Sequence, residues 1–205
     1  MIRFLLSSLL ILTLFSCGPK IIKGLEVPVS KQNIGSPYFS DLSKDYVYKA
    51  KLDIYGNYFG GILIVKKISE VKHRVVFTTE FGSKIFDFLY DGDTFTKNFI
   101  LPDLDRKIVV NTLEKDFRIL ITEKTDVVSQ YQNSEYDVFE TANSDGGNLF
   151  SENVESKQLY SIANAPNGRI KILITFNDVE ENIAKKININ HNNIKLSIAL
   201  EYLKK

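Results

Sequence analysis

Tryptophan is absent from the 205-residue sequence, cysteine occurs once and histidine twice. The single cysteine, Cys17, excludes an intramolecular disulfide, so the fold depends on its hydrophobic core. The sequence has no block of basic residues, and its 26 Lys and Arg nearly balance its 25 Asp and Glu. Because binding to a phosphate backbone requires a clustered basic surface, we expect no nucleic-acid partner.

The motifs of common enzyme classes are absent as well. There is no Gly-x-Ser-x-Gly, no His-Glu-x-x-His and no glycine-rich phosphate loop. The two histidines, His73 and His191, lie near the ends of predicted strands, where we expect exposed structural roles rather than metal binding. Neighbouring acidic pairs are interpreted as solvated carboxylates: Asp91 with Asp93, and Glu114 with Asp116. The sequence therefore predicts a non-enzyme with no metal and no cofactor.

The start of the chain indicates export. Arg3 precedes an apolar run over residues 4–15, and Ser16 and Cys17 follow the run. This run is short for a membrane span and is typical of a secretory signal peptide, which we assign to residues 1–16. A short transmembrane anchor with an incidental cysteine is the alternative interpretation.

The tetrad Leu14-Phe15-Ser16-Cys17 resembles a bacterial lipobox. The resemblance implies cleavage before Cys17 and acylation of its thiol, and two or more acyl chains give stable anchoring because each buried CH₂ contributes about 0.8 kcal/mol. No acidic residue follows in Gly18-Pro19-Lys20, which by the same resemblance favours the outer membrane. Residues 17–44, rich in Pro and Gly, are predicted to be the lipidated cysteine and a tether.

Residues 45–205 are predicted to form one mainly β domain. Strict alternation over residues 46–54 places Tyr48 and Leu52 on one face of a half-buried strand, and a strand apolar on both faces follows near Ile64. Further strands are predicted at residues 94–101, 136–142, 158–163, 169–176, 186–189 and 194–200. One amphipathic helix is predicted within residues 103–121, capped by Asp103 or Asp105, with its apolar face on the concave side of the sheet.

The central feature is a hairpin over residues 74–90. Two strands rich in β-branched and aromatic residues flank Glu80-Phe81-Gly82-Ser83, and Gly82 permits a tight turn. A large apolar residue, Phe81, thus lies at a tip where polar residues are usual. Burial of Phe81 against the rim of the core is the alternative.

The hairpin, the strand and short turn that precede it, and the final Ile187-Asn188-Ile189 to Ile198 hairpin resemble the LolA/LolB family of lipoprotein carriers, and LolB in particular. The resemblance implies an unclosed half-barrel of about eleven antiparallel strands, covered by helices, around an apolar cavity. It implies that Phe81 and Gly82 form a membrane-insertion loop. It also implies partners, namely acyl chains of lipoproteins or lipids and a periplasmic LolA-like carrier, and a monomer anchored to the outer membrane and facing the periplasm.

Alternation selects the residues expected to line that cavity: Tyr48, Leu52, Ile64, Phe77, Phe86, Phe88, Phe99, Phe117, Ile172 and Ile174. For each of them an ordinary core position is the alternative, and a slip of one residue in strand pairing would exchange the two faces. The alternative function is that of a non-catalytic envelope lipoprotein that binds a protein partner in assembly or sensing. A role in uptake or glycan systems has less support.

Overall fold

The computed structural model describes residues 24–142 and 147–203. The predicted signal peptide and the lipidation site Cys17 lie outside these residues. The strands are β1 (Leu25–Val27), β2 (Asn33–Ile34), β3 (Asp45–Ile54), β4 (Asn57–Ser69), β5 (Lys72–Thr78), β6 (Lys84–Asp91), β7 (Thr94–Ile100), β8 (Thr125–Gln132), β9 (Tyr136–Thr141), β10 (Asn148–Asn153), β11 (Leu159–Asn164), β12 (Ile172–Glu180), β13 (Ile183–His191) and β14 (Leu196–Tyr202). Helix α1 (Lys107–Ile121) lies between β7 and β8.

All of these strands belong to one antiparallel sheet. Its order is β1-β8-β9-β10-β11-β12-β13-β14-β3-β4-β5-β6-β7, and β2 also pairs with β8. The sheet ends at β7 on one side and at β1 and β2 on the other, so the barrel is unclosed. The predicted curved half-barrel is confirmed, and its described residues form 14 strands rather than about eleven.

Helix α1 covers the concave face because of its place in the chain. It connects β7, at one edge of the sheet, to β8, near the other edge, and this connection must cross the opening between the edges. Its buried stripe includes Val109, Leu113, Phe117 and Leu120, as the spacing predicts. The predicted cap is wrong: α1 begins after Arg106 without a side-chain cap, because residues Pro102–Leu104 form a separate 3₁₀ turn.

The predicted tether is wrong for the residues that the structure describes. Residues Leu25–Val27 and Asn33–Ile34 pair with β8, and a 3₁₀ turn at Pro37–Phe39 enters the core. The Tyr38 ring packs 4.8 Å from the Phe176 ring, and its hydroxyl donates to the Leu159 carbonyl. This segment therefore belongs to the folded domain. The sequence did not predict this pairing, because β1 and β2 are only 3 and 2 residues long and lie in a segment with many Pro and Gly residues.

The buried side chains form one large core on the concave face, under α1. A second, small cluster of Val138, Leu149 and Ala163 lies on the outer face of β9 to β11. No helix within residues 24–142 and 147–203 has both the length and the apolar character needed to cross a membrane.

Candidate functional site

The concave face carries most of the residues predicted to line a cavity. The buried ones are Tyr48, Leu52, Phe77, Phe86, Phe88, Phe117, Ile172 and Ile174. Phe86 stacks on Phe88 with ring centroids 4.6 Å apart and contacts Phe117 of α1 at 5.6 Å. Side chains of α1 thus occupy the space that was expected to hold acyl chains.

Two of the predicted lining residues, Ile64 and Phe99, lie on the opposite face. In β4 the buried positions are Leu63 and Val65. Both faces of this strand are apolar, and the prediction placed the wrong face toward the core. Phe99 is 39% exposed, because a β-bulge between Asp87 and Phe88 in the pairing of β6 with β7 shifts the alternation before Phe99.

The second half of α1 is fixed to the sheet. The Arg118 guanidinium donates to the backbone carbonyls of Gly92, at 3.0 Å, and Asp93, at 3.3 Å, in the turn between β6 and β7. The Tyr90 hydroxyl donates to the Glu114 carbonyl at 3.2 Å, and burial raises the pKa of Tyr90 well above its ordinary value. These contacts and the Phe117 ring hold this half of the helix in place.

A buried polar pair lies near the middle of α1. Asp116 Oδ2 is 3.0 Å from His191 Nε2 at the end of β13, and the two side chains are 0% and 2% exposed. Burial raises the pKa of the Asp116 carboxyl, and the hydrogen bond with His191 opposes that rise. Asp116 Oδ1 has no hydrogen-bond partner among the described residues. The expectation that Asp116 is solvated and His191 exposed is therefore wrong.

The first turns of α1 are flanked by a cleft on each side. Toward β3 and β4 lies a cleft of about 180 Å³, whose apolar lining is Ile54, Phe59, Leu104 and Val109. Toward β11, β12 and β13 lies a cleft of about 550 Å³ with a polar lining. The start of α1 thus packs less extensively against the sheet than its second half.

The other histidine, His73, is also buried, at 5% exposure, contrary to the prediction of an exposed position. Its Nε2 lies 3.2 Å from the Phe39 carbonyl oxygen and 3.3 Å from Glu123 Oε1. Lys67 Nζ donates to Glu123 Oε2 at 2.7 Å. Burial lowers the pKa of His73, which favours the neutral ring. This cluster ties the chain after α1 to β4, to β5 and to the 3₁₀ turn.

Phe81 is 98% exposed at the tip of the hairpin between β5 and β6, which excludes its burial in the core. The tip is itself well ordered by hydrogen bonds: Thr79 N donates to the Ser83 carbonyl at 2.8 Å, and Gly82 N donates to the Thr79 carbonyl at 3.0 Å. Gly82 has a φ of 86°, which favours glycine. The loop therefore presents one large apolar side chain on a defined turn.

Asp87 anchors the base of this hairpin. Its buried carboxylate accepts two hydrogen bonds from Arg74, at 2.9 and 2.7 Å, and one from Lys84 at 2.7 Å. The hydrogen bond from Arg74 holds the pKa of Asp87 well below its ordinary value. The strands on both sides of the Phe81 tip are thus joined by a charged cluster.

Antiparallel pairing places several of these features at one end of the sheet. The turns at residues 55–56, 79–83 and 192–195 lie at the same end of β3, β5 and β14, and α1 starts at this end after β7. We call it the Phe81 end. Both clefts beside α1 include residues from turns at this end.

No protein-family model matches the sequence, and no curated protein matches it significantly. Solved structures do match. A LolA superfamily protein from Nitrosomonas europaea is similar with a TM-score of 0.53 and 11% identity, over 82% of this chain and 88% of that chain. A second structure is described as a candidate outer membrane lipoprotein-sorting protein domain from Vibrio parahaemolyticus. It matches with a TM-score of 0.50 and 9% identity, over 78% of this chain and 83% of that chain. The chain therefore has the fold of the LolA superfamily.

Proposed function

We propose that this protein is a lipid-anchored envelope protein that binds acyl chains on its concave face and transfers lipoproteins to the outer membrane. The observation that carries the proposal is the position of α1, which joins the two sides of an open sheet across an apolar, aromatic-rich face. Such a face is suited to acyl chains once the helix is displaced. The names of the two similar structures, which refer to LolA and to lipoprotein sorting, support this function.

Helix α1 opens, in this proposal, at its first turns. Arg118 and Phe117 hold its second half, whereas its start has no side-chain cap and lies between two clefts. The cleft lined by Ile54, Phe59 and Val109 leads toward the apolar core and is the entry point for an acyl chain. Moving the start of α1 outward would expose Leu113 and the aromatic rings beneath.

The Phe81 end faces the bilayer. Acylated Cys17 keeps the protein at the periplasmic surface of the outer membrane, and Phe81 enters the lipid when this end approaches it. A fully buried Phe side chain contributes about 1.5–3 kcal/mol, enough to orient a protein that is already anchored. The protein acts as a monomer and receives its cargo from a periplasmic LolA-like carrier.

Binding of a triacylated lipopeptide tests the proposal. The mature protein should bind a tripalmitoylated cysteinyl peptide and transfer it to vesicles, and it should not bind the same peptide without acyl chains. Native mass spectrometry measures the first step and fluorescence transfer the second. Equal binding of the acylated and deacylated peptides, or no binding of either, would contradict it.

A second candidate function is binding of a protein partner on the outer face of the sheet. There Tyr136 and Tyr160 stack with centroids 5.1 Å apart, beside the small cluster around Val138, and Tyr160 is 40% exposed. Aromatic residues are enriched in protein interfaces. Under this alternative Tyr160→Ser releases a specific co-purifying protein, while lipopeptide transfer is absent from the start.

A further inference from the structure

The larger cleft beside α1 has an unusual set of side chains. Its volume is about 550 Å³, and it opens at the Phe81 end between α1 and the ends of β11, β12 and β13. Lys107, Asn111 and Lys115 come from one face of α1, because they are spaced four residues apart. Lys171 and His191 approach from the sheet side. The lining includes three lysines, of which Lys115 interacts with the buried carboxyl of Asp116 behind His191.

Such a lining is suited to an anion. The ammonium groups of Lys107 and Lys171 raise the positive potential of this concave site, and lysine is a common phosphate-binding residue. The apolar side chains of Ile108 and Ile172 also line the cleft. Ile108 is 52% exposed, so an apolar group of a ligand can lie directly beside the charged one.

A buried acceptor in the cleft adds an independent requirement. Asn164 lines the cleft although it is only 1% exposed. Its Nδ2 donates to the Gly147 carbonyl at 3.1 Å and to Asn148 Oδ1 at 3.0 Å, which fixes the orientation of the amide. Its Oδ1 has no hydrogen-bond partner among the described residues. A buried acceptor without a partner is unfavourable, so a ligand that supplies a donor is favoured.

We propose that this cleft binds a phosphate group that also offers a hydroxyl donor, as in the headgroup of a phosphatidylglycerol. Lys107 and Lys171 bind the phosphate oxygens, and Asn164 Oδ1 accepts from the hydroxyl. Free phosphate shares this chemistry. The position at the Phe81 end favours the lipid source, because headgroups lie where Phe81 enters the bilayer. The inference therefore rests on the proposed function.

Calorimetric titration of the mature protein in a non-ionic detergent tests this site. The probes are dihexanoylphosphatidylglycerol, neutral dihexanoylglycerol and inorganic phosphate. Phosphatidylglycerol should bind at least roughly tenfold more tightly than either of the other two, which is the effect of a few charge-assisted hydrogen bonds. Lys107→Gln and Lys171→Gln should each weaken its binding roughly tenfold.

Lys195→Gln is the matched control, because Lys195 is an exposed lysine in the turn between β13 and β14 but does not line this cleft. It should change the affinity less than twofold. Equal loss in all three variants would indicate general charge attraction and would overturn the site. Equal affinity for the charged and neutral lipids, unchanged in K107Q and K171Q, would also overturn it while acyl binding stands.

Inorganic phosphate provides the remaining distinction. If it binds as tightly as phosphatidylglycerol and depends on the same lysines, the phosphate site is confirmed and its lipid source is overturned. That result would leave the assignment of Lys107 and Lys171 unchanged, and acyl-chain binding is tested separately by the lipopeptide experiment.

Discussion

Asp116 is the residue whose environment differs most from its expected one. Its carboxyl is fully buried on the inner face of α1, and burial raises its pKa above the ordinary value. The position could have been found from the spacing, because Asp116 lies three residues after Leu113 and four before Leu120 on the buried stripe. The pairing with His191 could not be predicted, since the two residues are 75 positions apart in the sequence.

The buried carboxyl predicts a pH dependence of stability. Because the pKa of Asp116 is higher in the folded than in the unfolded chain, the stabilising contribution of its protonated form is complete below the unfolded value of about 3.9. This contribution is lost as the pH rises through the pKa that Asp116 has in the folded protein. The free energy of unfolding of the natural protein, relative to Asp116→Asn, should therefore fall as the pH rises above about 4.

Urea unfolding of both proteins at several pH values measures this difference. Asp103→Asn is the control for loss of a carboxylate, because Asp103 lies at an exposed position before α1. A difference for Asp116→Asn that is independent of pH would show that burial does not disfavour the charged form.

Phe81 is the residue for which sequence and structure agree best. Its position at the tip of a turn with Gly82 predicts an exposed side chain, and Phe81 is 98% exposed in the structure. Its role in membrane insertion stays a prediction. Phe81→Glu should leave the free energy of unfolding within about 0.5 kcal/mol, because the side chain makes no core contacts. It should weaken vesicle binding of the unlipidated Cys17→Ser protein by roughly 10- to 100-fold, the loss expected for one Phe side chain.

Vesicle cosedimentation measures the binding of both forms. Val71→Glu is a matched control, because Val71 is 62% exposed on the turn between β4 and β5, at the opposite end of β5. It should bind vesicles like the parent protein. Similar losses in the two variants would show that the Phe81 end has no special relation to the bilayer.

At the scale of elements, strong alternation and turn residues were sufficient for the long strands. Residues 46–54 and the hairpin over 74–90 are strands as predicted. β8 and β10 were not predicted, because their inward positions include polar residues such as Gln130 and Glu152. The phase error at Phe99 has a local cause, since a bulge cannot be recognised in a single sequence without its partner strand.

Helix α1 is expected to open unevenly. Its first half, residues 107–113, should exchange amide hydrogens faster than residues 114–121, which Arg118, Phe117 and Tyr90 tie to the sheet. A bound tripalmitoylated peptide should change the exchange in α1 and leave the central strand β4 unchanged. Hydrogen exchange with mass spectrometry resolves these segments. Uniform protection of α1, unaffected by the lipopeptide, would be incompatible with a moving helix.

At the scale of the whole molecule, the half-barrel was predicted from the succession of strands and one helix, but the strand order was not. That order depends on β14 pairing with β3 and on α1 crossing from one side to the other, contacts between distant parts of the chain. The clefts beside α1 depend on the same crossing. Residues such as Lys107, Asn164 and Lys171 therefore showed no common signal in the sequence.

Photo-crosslinking shows directly whether the concave face under α1 receives acyl chains. A tripalmitoylated peptide with a diazirine on one acyl chain is bound to the mature protein, irradiated and mapped by mass spectrometry. We expect labels on concave-face residues such as Phe77, Phe86 and Phe117. Labels confined to outer-face residues such as Ile64 and Phe99, or no labelling of the described residues, would contradict this expectation.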